Sequence, residues 1–388
     1  QMKKKALIVV NLAGFLHFLW NDISTLQEMG YEVSVAMNEN SAAGPNLIEI
    51  PKLEEIEIAH YQVDFDTKSP ISRQNVQAYK QLKLILKRNK YELIHCHTSI
   101  VGILTRMAAR KERKDGTTVI YTTHGFAFTD RSSKKSWLVY FTIEKLMSRF
   151  CDAIITINHE DYNNAKKMHC PNVYVIPSVG LDNKRFADVK TNRDEYRASF
   201  GVKPNDHMVL SVGELSSRKN QKIIVDALGM IDRKEQYVFV ICGTAVVNST
   251  IEEELKRKAS ELGVRIFLAG HRLDIPEINH CADVAVIPSI REGFGMTGVE
   301  ALASGVLVVG SDVQGIREYV IPEKTGYLCD PYSPNQFADA IEKIVNLSPE
   351  VKKQMEASCK KKAEEFDVSK SIAAMKNIYK EVLYHDRK

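Results

Sequence analysis

Short runs of apolar residues alternate with amphipathic stretches of helical length along almost the whole chain. The first run covers residues 6–10, a second series starts at residues 208–213, and each of these two runs leads into a turn that contains glycine. Strands that are apolar on both faces are typical of parallel sheets covered by helices on both sides. The pattern therefore predicts an α/β fold with two tandem, Rossmann-like, doubly wound domains.

The same pattern predicts where the individual strands lie. In the first half we expect them at residues 6–10, 32–37, 58–63, 92–97, 117–122, 153–157 and 173–176. In the second half we expect them at residues 208–213, 237–242, 264–268, 283–287 and 306–309. The predicted organisation is a domain at 1–180, a domain at 181–368 and a helix within 369–388 that returns to the first domain. Parallel sheets bind ligands at the carboxyl ends of their strands, so we expect the active site in a cleft between the domains.

The composition is that of a globular protein, because 44% of the 388 residues are hydrophobic and 26% are charged. The seven cysteines are scattered and include no Cys-x-x-Cys pair. They indicate reduced thiols of a cytosolic protein rather than a disulfide framework or a zinc site. The lysine-rich start superficially resembles a signal peptide, but Asn11, His17 and Asn21 interrupt its apolar run and favour a buried first strand. No other run approaches the ~20 apolar residues of a membrane span.

Positive charge is concentrated in one part of the chain, although the net charge is only +4. Residues 68–149 contain seventeen Lys or Arg against five Asp or Glu. This concentration indicates an anionic partner for the first domain, with solvated helix faces as the simpler interpretation of part of it. Residues 81–90 are basic and amphipathic, and residues 126–141 place aromatic side chains among cations. We expect peripheral attachment to an anionic membrane surface; packing of those aromatics into the core is the alternative.

The segment at residues 288–300 is the most informative one. It follows the predicted strand at 283–287 and opens a helix, and its two glycines let the backbone approach a ligand closely. The amides at the start of that helix suit a diphosphate. Glu292 and Glu300 are poor ligands for phosphate, but their carboxylates can accept hydrogen bonds from sugar hydroxyls. A helix start with an incidental glutamate is the purely structural alternative.

The run Glu292-Gly-Phe-Gly-Met-Thr-Gly-Val-Glu300 resembles the Glu-x7-Glu signature of the retaining glycosyltransferases of family 4, which have the two-domain GT-B fold. Residues 301–309 and 315–318 are also similar to that family, so the resemblance covers nearly the whole chain. It implies that Glu300 binds the ribose hydroxyls of a nucleotide and that Glu292 contacts a hydroxyl of the transferred sugar. It also implies that backbone amides hold the diphosphate and the sugar, namely those around Gly293, Phe294, Gly295, Met296 and Thr297.

A second segment of the same family pattern begins at Gly213. Family members carry an Arg directly after this glycine and a Lys five residues beyond that Arg, and these positions hold Glu214 and Lys219 here. Lys219 is therefore the candidate that stabilises the departing diphosphate as its charge grows. We expect Arg218 to share or replace the role of the missing Arg, while Glu214 puts one cationic contact in question.

The resemblance also assigns residues near the ends of strands in the first half. His124 stands where the family has a histidine that faces the donor sugar, although a lone His beside a strand is often structural. Gly14 lies in a turn that resembles the family's N-terminal glycine loop near the donor phosphates. His95 and His97 alternate along one strand, so we expect one to pack inward and the other to border the cleft. Because no third ligand follows at a suitable spacing, metal binding by this pair is the less favoured interpretation.

The nucleotide base is expected beside the second-half strands, where family members place it. Gly243, His271 and Arg272 follow these strands. Backbone contacts from His271 and Arg272 to a uracil are the arrangement that the resemblance implies.

These features together predict a retaining glycosyltransferase that needs no metal or other cofactor. It would move a hexose or N-acetylhexosamine from a UDP-sugar to a saccharide or lipid-diphosphate-linked acceptor, in the assembly of a surface polysaccharide such as a capsule or exopolysaccharide. The family mechanism is front-face attack, in which the leaving phosphate takes the acceptor proton. A UDP-sugar 2-epimerase and a non-catalytic nucleotide-sugar-binding module are the alternatives, and no nucleic-acid partner is expected.

Overall fold

The computed structural model describes residues 4–40, 46–67, 69–246 and 249–384. The chain divides into two compact units, one formed by residues 1–179 with 369–388 and one formed by residues 180–368. Lys68, which opens the basic segment, lies outside the described residues. Each unit contains one parallel sheet with helices around it.

The first unit is built on a seven-stranded sheet. Its strands are β1 (Lys4–Leu12), β2 (Tyr31–Asn38), β3 (Ala59–Gln62), β4 (Leu93–His97), β5 (Thr118–Thr122), β6 (Ala153–Thr156) and β7 (Asn172–Val175). Their order is β3-β2-β1-β4-β5-β6-β7, and every neighbouring pair is parallel. Residues 6–10 of β1 are fully buried, because a central parallel strand is covered by side chains on both faces.

Helices connect these strands in the first unit. They are α1 (Trp20–Glu28), α2 (Asn46–Glu55), α3 (Arg73–Arg88), α4 (Ser99–Ala108), α5 (Arg110–Lys114), α6 (Lys134–Met147) and α7 (His159–Ala165). Two 3-10 segments accompany them, at Ala13–Phe18 and Ser148–Phe150.

The second unit contains a six-stranded sheet with strands β8 (His207–Val212), β9 (Tyr237–Cys242), β10 (Arg265–Gly270), β11 (Val284–Ile287), β12 (Val308–Ser311) and β13 (Gly326–Cys329). Their order is β10-β9-β8-β11-β12-β13, again with parallel pairs throughout. Its helices are α8 (Asn183–Ala187), α9 (Arg193–Ser199), α10 (Lys222–Met230), α11 (Ile251–Leu262), α12 (Ile275–Cys281), α13 (Met296–Ala303), α14 (Pro334–Val345) and α15 (Pro349–Ala363). The 3-10 segments of this unit are Lys234–Gln236, Gln314–Glu318 and Glu364–Phe366.

The last helix, α16 (Val368–Tyr384), packs almost entirely within the first unit. Its Tyr379 hydroxyl lies 2.8 Å from Nδ1 of His95, and its Ser371 hydroxyl donates to the carbonyl of Pro177 at 3.1 Å. Among the described residues, no helix combines the length and the apolar character that crossing a bilayer requires.

The predicted two-sheet α/β fold is confirmed, and two details of the second sheet differ from the prediction. β12 starts at Val308 rather than at residue 306, because the chain leaves α13 through Gly305 in a left-handed turn (φ 80°). β13 is not predicted by the hydrophobic pattern, since it is a four-residue edge strand that begins with a glycine. A side chain at Gly326 would lie 1.7 Å from the Val308 carbonyl oxygen, so this pairing requires glycine.

A buried ion pair joins α4, β5 and α6 in the first unit. Arg106 on α4 donates to the Glu144 carboxylate of α6 at 2.7 Å, and the side chains of both residues are almost fully buried. Arg106 also donates to the carbonyl of Gly102 at 2.9 Å and stacks over the ring of Tyr121 at 4.0 Å. Removing one partner of such a pair leaves the other charge buried without compensation.

We expect Glu144→Ala to destabilise the first unit by about 3–5 kcal/mol, because the guanidinium of Arg106 would remain buried and unpaired. Both tryptophans of the chain, Trp20 and Trp137, belong to this unit. Urea unfolding followed by tryptophan fluorescence measures its stability. The matched control is Glu28→Ala, which breaks an exposed ion pair with Lys376 and is expected to cost less than about 1 kcal/mol. Equal losses in the two variants would contradict the prediction.

Candidate functional site

The strand order of the second unit brings two loops together at one edge of the sheet. β8 pairs directly with β11, with Val209 opposite Val284 and Leu210 opposite Ala285. The loop after β8 carries Lys219, and the loop after β11 carries Glu292. In a doubly wound sheet, the place where the strand order reverses forms a crevice at the carboxyl ends of the strands.

Two glycines allow the backbone ends of β8 and β9 to approach each other. Gly213 has φ 143° and Gly243 has φ 154°, values that L-residues with side chains rarely adopt. A side chain at Gly243 would lie 1.9 Å from the Gly213 carbonyl oxygen. The aliphatic part of the Lys219 side chain passes beside Gly213, where a Cβ atom would be 3.6 Å away. That distance is an ordinary contact, so the positive φ rather than the space for Lys219 favours glycine at position 213.

Glu292 is held by several donors from the two loops. Its Oε2 atom lies 2.6 Å from Nζ of Lys219, 3.5 Å from a guanidinium nitrogen of Arg218 and 3.1 Å from the Ser289 hydroxyl. The loops are also joined through the backbone, since the Ile290 amide donates to the Arg218 carbonyl at 2.9 Å. The structure thus brings together three of the four predicted catalytic residues, and His124 belongs to the first unit.

Sequence reasoning missed the residue that fixes the first of these loops. Asn220 has a left-handed backbone (φ 57°). Its side-chain amide donates to the carbonyl oxygens of Pro288 and Pro331, at 3.1 and 2.8 Å. Asparagine is among the residues that tolerate this conformation. The pair Lys219-Asn220 after the turn at Gly213 is the sequence feature from which this role of Asn220 could have been predicted.

The loop into α13 is unusually compact. Gly295 takes a left-handed conformation (φ 83°) at the N-cap of α13. A Cβ atom at Gly298 would lie 2.3 Å from the Tyr319 hydroxyl oxygen, and one at Gly315 would lie 2.3 Å from the Gly293 carbonyl oxygen. There is therefore little or no room for a side chain at Gly295 and Gly298, so this backbone packs closely against Glu292 and Tyr319 at the start of α13.

Two buried hydroxyls near this loop have no hydrogen-bond partner among the described residues, Oγ1 of Thr297 and the phenol oxygen of Tyr319. Burial, and next the nearby carboxylates of Glu292 and Glu300, raise the pKa of Tyr319 well above its usual value. Tyr319 is thus a neutral hydroxyl. Buried polar groups are normally satisfied, so an unpartnered pair beside a helix start suits a polar ligand. Met296, Phe294 and Gly293 complete this loop, and the ring of Phe294 packs on Phe366 at 5.1 Å.

Glu300 lies on α13, beyond the loop. Burial raises the pKa of its carboxyl to about 7, against the opposing effect of the Arg185 charge. Within the described part of the chain its carboxylate forms no hydrogen bond or ion pair. A carboxylate that has lost water without gaining a partner is suited to accept hydrogen bonds from a ligand.

His271 and Arg272 follow β10 directly. Gly270, which precedes them, has φ 66°, and its carbonyl accepts from the Gly243 amide at 2.8 Å. The side chain of Arg272 is engaged in a two-fold contact with Asp274, at 2.8 and 2.5 Å. The side chain of Arg272 is therefore not free for a ligand, whereas the side chain of His271 is exposed.

In the first unit, β1, β4 and β5 are neighbours, so their carboxyl ends lie side by side. Nε2 of His124, after β5, lies 3.2 Å from Nδ1 of His97 at the end of β4, and its ring meets Phe15 edge-on at 4.7 Å. Burial lowers the pKa of His124 to about 4, which keeps the imidazole neutral. The conformation at Gly14 differs from the predicted glycine turn. β1 continues to Leu12, and Gly14 lies in a 3-10 segment and has no positive φ.

The expectation that one of His95 and His97 borders a cleft while the other packs inward is wrong. Both are buried and lie together, with ring centroids 4.1 Å apart, because residues two positions apart on a strand point to the same face of the sheet. The ring nitrogens of His95 contact the hydroxyls of Tyr379 and Thr122, at 2.8 and 2.7 Å. Nε2 of His97 has no partner among the described residues.

The family models match both units. Residues 192–366 match the model of the glycosyl transferases group 1, and residues 19–179 match that of glycosyltransferase family 4. Putative glycosyltransferase EpsD of Bacillus subtilis is 31% identical over 376 residues, which cover 96% of this chain and 93% of EpsD. The chain belongs to the group 1 glycosyltransferases. It is therefore a transferase, and the resemblance drawn from residues 288–300 is confirmed.

The chain is also similar to a galactosyltransferase and to a solved structure that contains UDP. A UDP-Gal:α-D-GlcNAc-diphosphoundecaprenol α-1,3-galactosyltransferase of Escherichia coli is 29% identical over 326 residues, covering 80% of this glycosyltransferase and 82% of the relative. The crystal structure of Anabaena HepE in complex with UDP and glucose is similar in fold, with a TM-score of 0.77 at 20% identity, covering 98% and 99% of the two chains. These likenesses confirm the GT-B fold.

The raised pKa of Glu300 predicts that the stability of this glycosyltransferase depends on pH. The folded pKa of about 7 exceeds the ordinary value of 4.5, so the folded chain holds this proton more tightly than the unfolded chain does. The free energy of unfolding therefore falls as pH rises from about 4.5 through about 7. Glu300→Gln removes this loss, so the variant should match the wild type near pH 4.5 and be more stable at pH 8, by a few kcal/mol at most, since one pKa unit corresponds to about 1.4 kcal/mol.

Scanning calorimetry at the two pH values measures this difference. The control is Glu261→Gln, which changes an exposed glutamate paired with Arg257 in the same unit and should show no pH-dependent gain. A stability difference between Glu300→Gln and the wild type that stays constant from pH 4.5 to 8 would contradict the predicted pKa.

Proposed function

We propose that this glycosyltransferase moves a hexose or N-acetylhexosamine from UDP to a saccharide or lipid-diphosphate-linked acceptor with retention of configuration, in the assembly of a surface polysaccharide. The observation that carries the proposal is the pairing of Lys219 with Glu292 at 2.6 Å beside the glycine-rich start of α13. It places a cation, a carboxylate and a helix N-terminus within one loop cluster of the second unit.

The cations of this cluster suit a leaving diphosphate. Negative charge grows on the diphosphate as the glycosidic bond breaks, and fixed positive groups stabilise that charge most effectively where water is excluded. Lys219 is largely buried, and Arg218 beside it is more exposed. Together with the amides at the start of α13 they can supply the charge that a divalent metal supplies in other enzymes. Transfer therefore needs no metal in our proposal.

The surroundings of Glu292 favour a role in holding the sugar over a role as nucleophile. Its carboxylate already accepts from Lys219 and from the Ser289 hydroxyl, which lowers its nucleophilicity and leaves further lone pairs for a sugar hydroxyl. Retention would then follow from front-face attack, with the acceptor proton passing to the leaving phosphate. The role of His124 as a contact of the transferred sugar remains a prediction from the family resemblance.

The nucleotide is proposed to lie along α13 towards Glu300, which accepts hydrogen bonds from the ribose hydroxyls. Uracil is our preferred base for two reasons. The E. coli relative is named for UDP-Gal, and HepE was crystallised with UDP. The former also acts on a diphosphoundecaprenol-linked acceptor, which supports a lipid-linked acceptor here.

Family membership favours transfer over 2-epimerisation. Glu214, which replaces the family's arginine, is exposed, and the neighbouring Arg218 supplies a cation to Glu292 instead. A non-catalytic nucleotide-sugar-binding module remains as an outcome of the binding experiment below.

We expect Lys219→Met and Glu300→Ala to weaken nucleotide binding in different ways. Loss of the ammonium removes a charge-assisted contact with the diphosphate, worth about 1.5–3 kcal/mol, so UDP should bind roughly 10- to 100-fold more weakly while uridine is little affected. Loss of the Glu300 carboxylate removes a ribose contact and should weaken both ligands. Isothermal titration with UDP, GDP, ADP and uridine measures these affinities.

The matched control is Lys222→Met, which removes an exposed lysine three residues further along the same unit. It should bind UDP as the wild type does. If no nucleotide binds at millimolar concentration, the donor site is not functional. If UDP binds but no UDP-sugar is consumed with any acceptor, the non-catalytic interpretation replaces the enzyme.

We also propose that the protein attaches to an anionic membrane surface, and this proposal rests on α6. Five of its side chains are large, apolar and exposed by 39–62%: Leu138, Val139, Tyr140, Ile143 and Leu146. Lys134 and Lys135, at its start, are exposed cations. The opposite face packs inward, since Trp137 stacks on Phe141 at 4.5 Å and Phe141 meets Phe128 at 5.6 Å. A helix that is apolar on both faces needs a second apolar surface, and adjacent lysines favour an anionic bilayer.

Two parts of the basic segment differ from the sequence expectation. Phe126 and Phe128 are fully buried and stack on each other at 4.8 Å, so they belong to the core rather than to a membrane face. In α3, Leu82, Ile85 and Leu86 are buried, whereas Val76 and Leu84 are exposed. The apolar stripe of α3 therefore faces the core, and α6 alone carries the proposed membrane contact.

We expect the double substitution Leu138→Gln with Ile143→Gln to weaken sedimentation with anionic liposomes at least about tenfold, because each removes an apolar side chain whose burial is worth about 1.5–3 kcal/mol. The control is Val76→Gln with Leu84→Gln, which changes two exposed apolar residues of α3 and should bind like the wild type. If the wild type does not bind anionic liposomes at low salt, the proposed membrane attachment is wrong.

A further inference from the structure

A cluster of ionisable side chains lies in the first unit, whereas the loops that carry Lys219 and Glu292 belong to the second unit. Asp22 from α1 lies beside His95 and His97 from β4, and one possible ligand atom from each residue falls within 4.8 Å of the others. In the part of the chain that the structure describes, this is the one group of three or more such residues with that spacing. The third member comes from a helix more than seventy positions away in sequence, which is why spacing along the chain does not reveal it.

The cluster is short of positive charge. Its members are one carboxylate and two imidazoles, and the Asp22 carboxylate has no hydrogen bond or ion pair among the described residues. Such groups are costly to bury unless a partner is present.

One ring nitrogen of the cluster has no hydrogen-bond partner among the described residues and could bind an ion. Nε2 of His97 is buried, has no hydrogen-bond partner among the described residues, and belongs to a side chain that is 1% exposed. His97 and Asp22 both line a small cavity of about 20 Å³, together with Thr122 and His124. A cavity of this size holds about one water molecule.

We propose that Asp22, His95 and His97 bind a divalent transition-metal ion, with Zn²⁺ as the preferred ion. Two imidazoles and one carboxylate are a ligand set that zinc uses when a fourth position stays open. The small cavity leaves that position for a single water molecule. Ligand atoms of a tetrahedral zinc ion lie about 3.3 Å apart, so the cluster must contract from its present spacing, and Asp22 is the member that comes from a helix rather than from the sheet.

The contacts around the histidines match those of metal ligands. A ligating histidine usually gives its second ring nitrogen to an oxygen atom that fixes its orientation. His95 has the Tyr379 and Thr122 hydroxyls at its two nitrogens, so one hydroxyl can stay in this role while the ion takes the place of the other. His97 would bind through Nε2, and its Nδ1 would then carry a proton towards Nε2 of His124, 3.2 Å away.

The proposed ion is not part of the charge stabilisation proposed for transfer, although its ligand His97 contacts His124, the predicted contact of the transferred sugar. The cations and amides proposed to stabilise the diphosphate all belong to the second unit, so the absence of a metal requirement for transfer and the presence of this ion are compatible. Because the ion binds the folded first unit and not the unfolded chain, it should also raise the stability of that unit.

The test uses the full chain without a histidine tag, stripped of metal by a chelator. Co²⁺ is titrated first, because four-coordinate Co²⁺ has a distinctive visible spectrum, and Zn²⁺ is then added in competition. We expect one ion per chain, a four-coordinate Co²⁺ spectrum that Zn²⁺ abolishes, and a rise in the unfolding temperature followed by tryptophan fluorescence. Asp22→Asn and His97→Gln should each weaken Zn²⁺ binding by at least roughly 10- to 100-fold, the loss seen when even an outer partner of a ligand is removed.

The matched control is His169→Gln, which removes an exposed histidine of the same unit and should leave binding unchanged. Circular dichroism establishes that each variant is folded; Asp22→Asn keeps the size of the side chain and changes only its charge. The proposal is overturned if Zn²⁺ binds equally well to both variants and the control, since the ion would then sit on exposed histidines. It is also overturned if the wild type binds no Zn²⁺ or shows only a six-coordinate Co²⁺ spectrum.

Discussion

The parallel pairing of β8 with β11 is the constraint on which the proposed donor site depends. These strands are distant in sequence, and the reversal of strand order between them forms a crevice at their carboxyl ends. The loops after both strands must therefore share one place, where the Ile290 amide bonds to the Arg218 carbonyl. The contact between Lys219 and Glu292 follows from that backbone arrangement. A ligand placed there meets a cation and a helix start together.

Glycines make this arrangement possible at specific points. Gly243 lies so close to the Gly213 carbonyl that no side chain fits, and Gly298 lies equally close to Tyr319. Each approach brings two backbone segments, or a backbone segment and a side chain, closer together than any residue with a Cβ atom would allow. The same approach positions the hydroxyls of Thr297 and Tyr319, which remain without partners in the described structure. The loop is thus shaped for polar contacts that the protein does not itself complete.

The sequence predicts the strands and the sheet type well, because these depend on local apolar runs and on glycine. It predicts least where side chains from distant elements meet. Asp22 and His97 lie on different elements, and His95 and His97 share one face of β4, so the expectation that they point in different directions fails. The orientation of Phe128 fails for a similar reason, since an aromatic residue among cations looks exposed until Trp137 and Phe141 are seen to pack on it. The short edge strand β13 lacks a sufficient apolar run.

Carboxylates are satisfied in different ways along the chain, and the difference indicates which ligand each one suits. Glu292 is paired with Lys219, whereas the carboxylates of Glu300 and Asp22 have no hydrogen bond or ion pair among the described residues. A neutral ligand with hydroxyl donors is enough to satisfy Glu300, because the charge of Arg185 already favours its ionised form. Asp22 lies beside two imidazoles rather than beside a cation. A metal ion that binds nitrogen as well as oxygen can contact all three side chains and can occupy Nε2 of His97, which has no partner among the described residues.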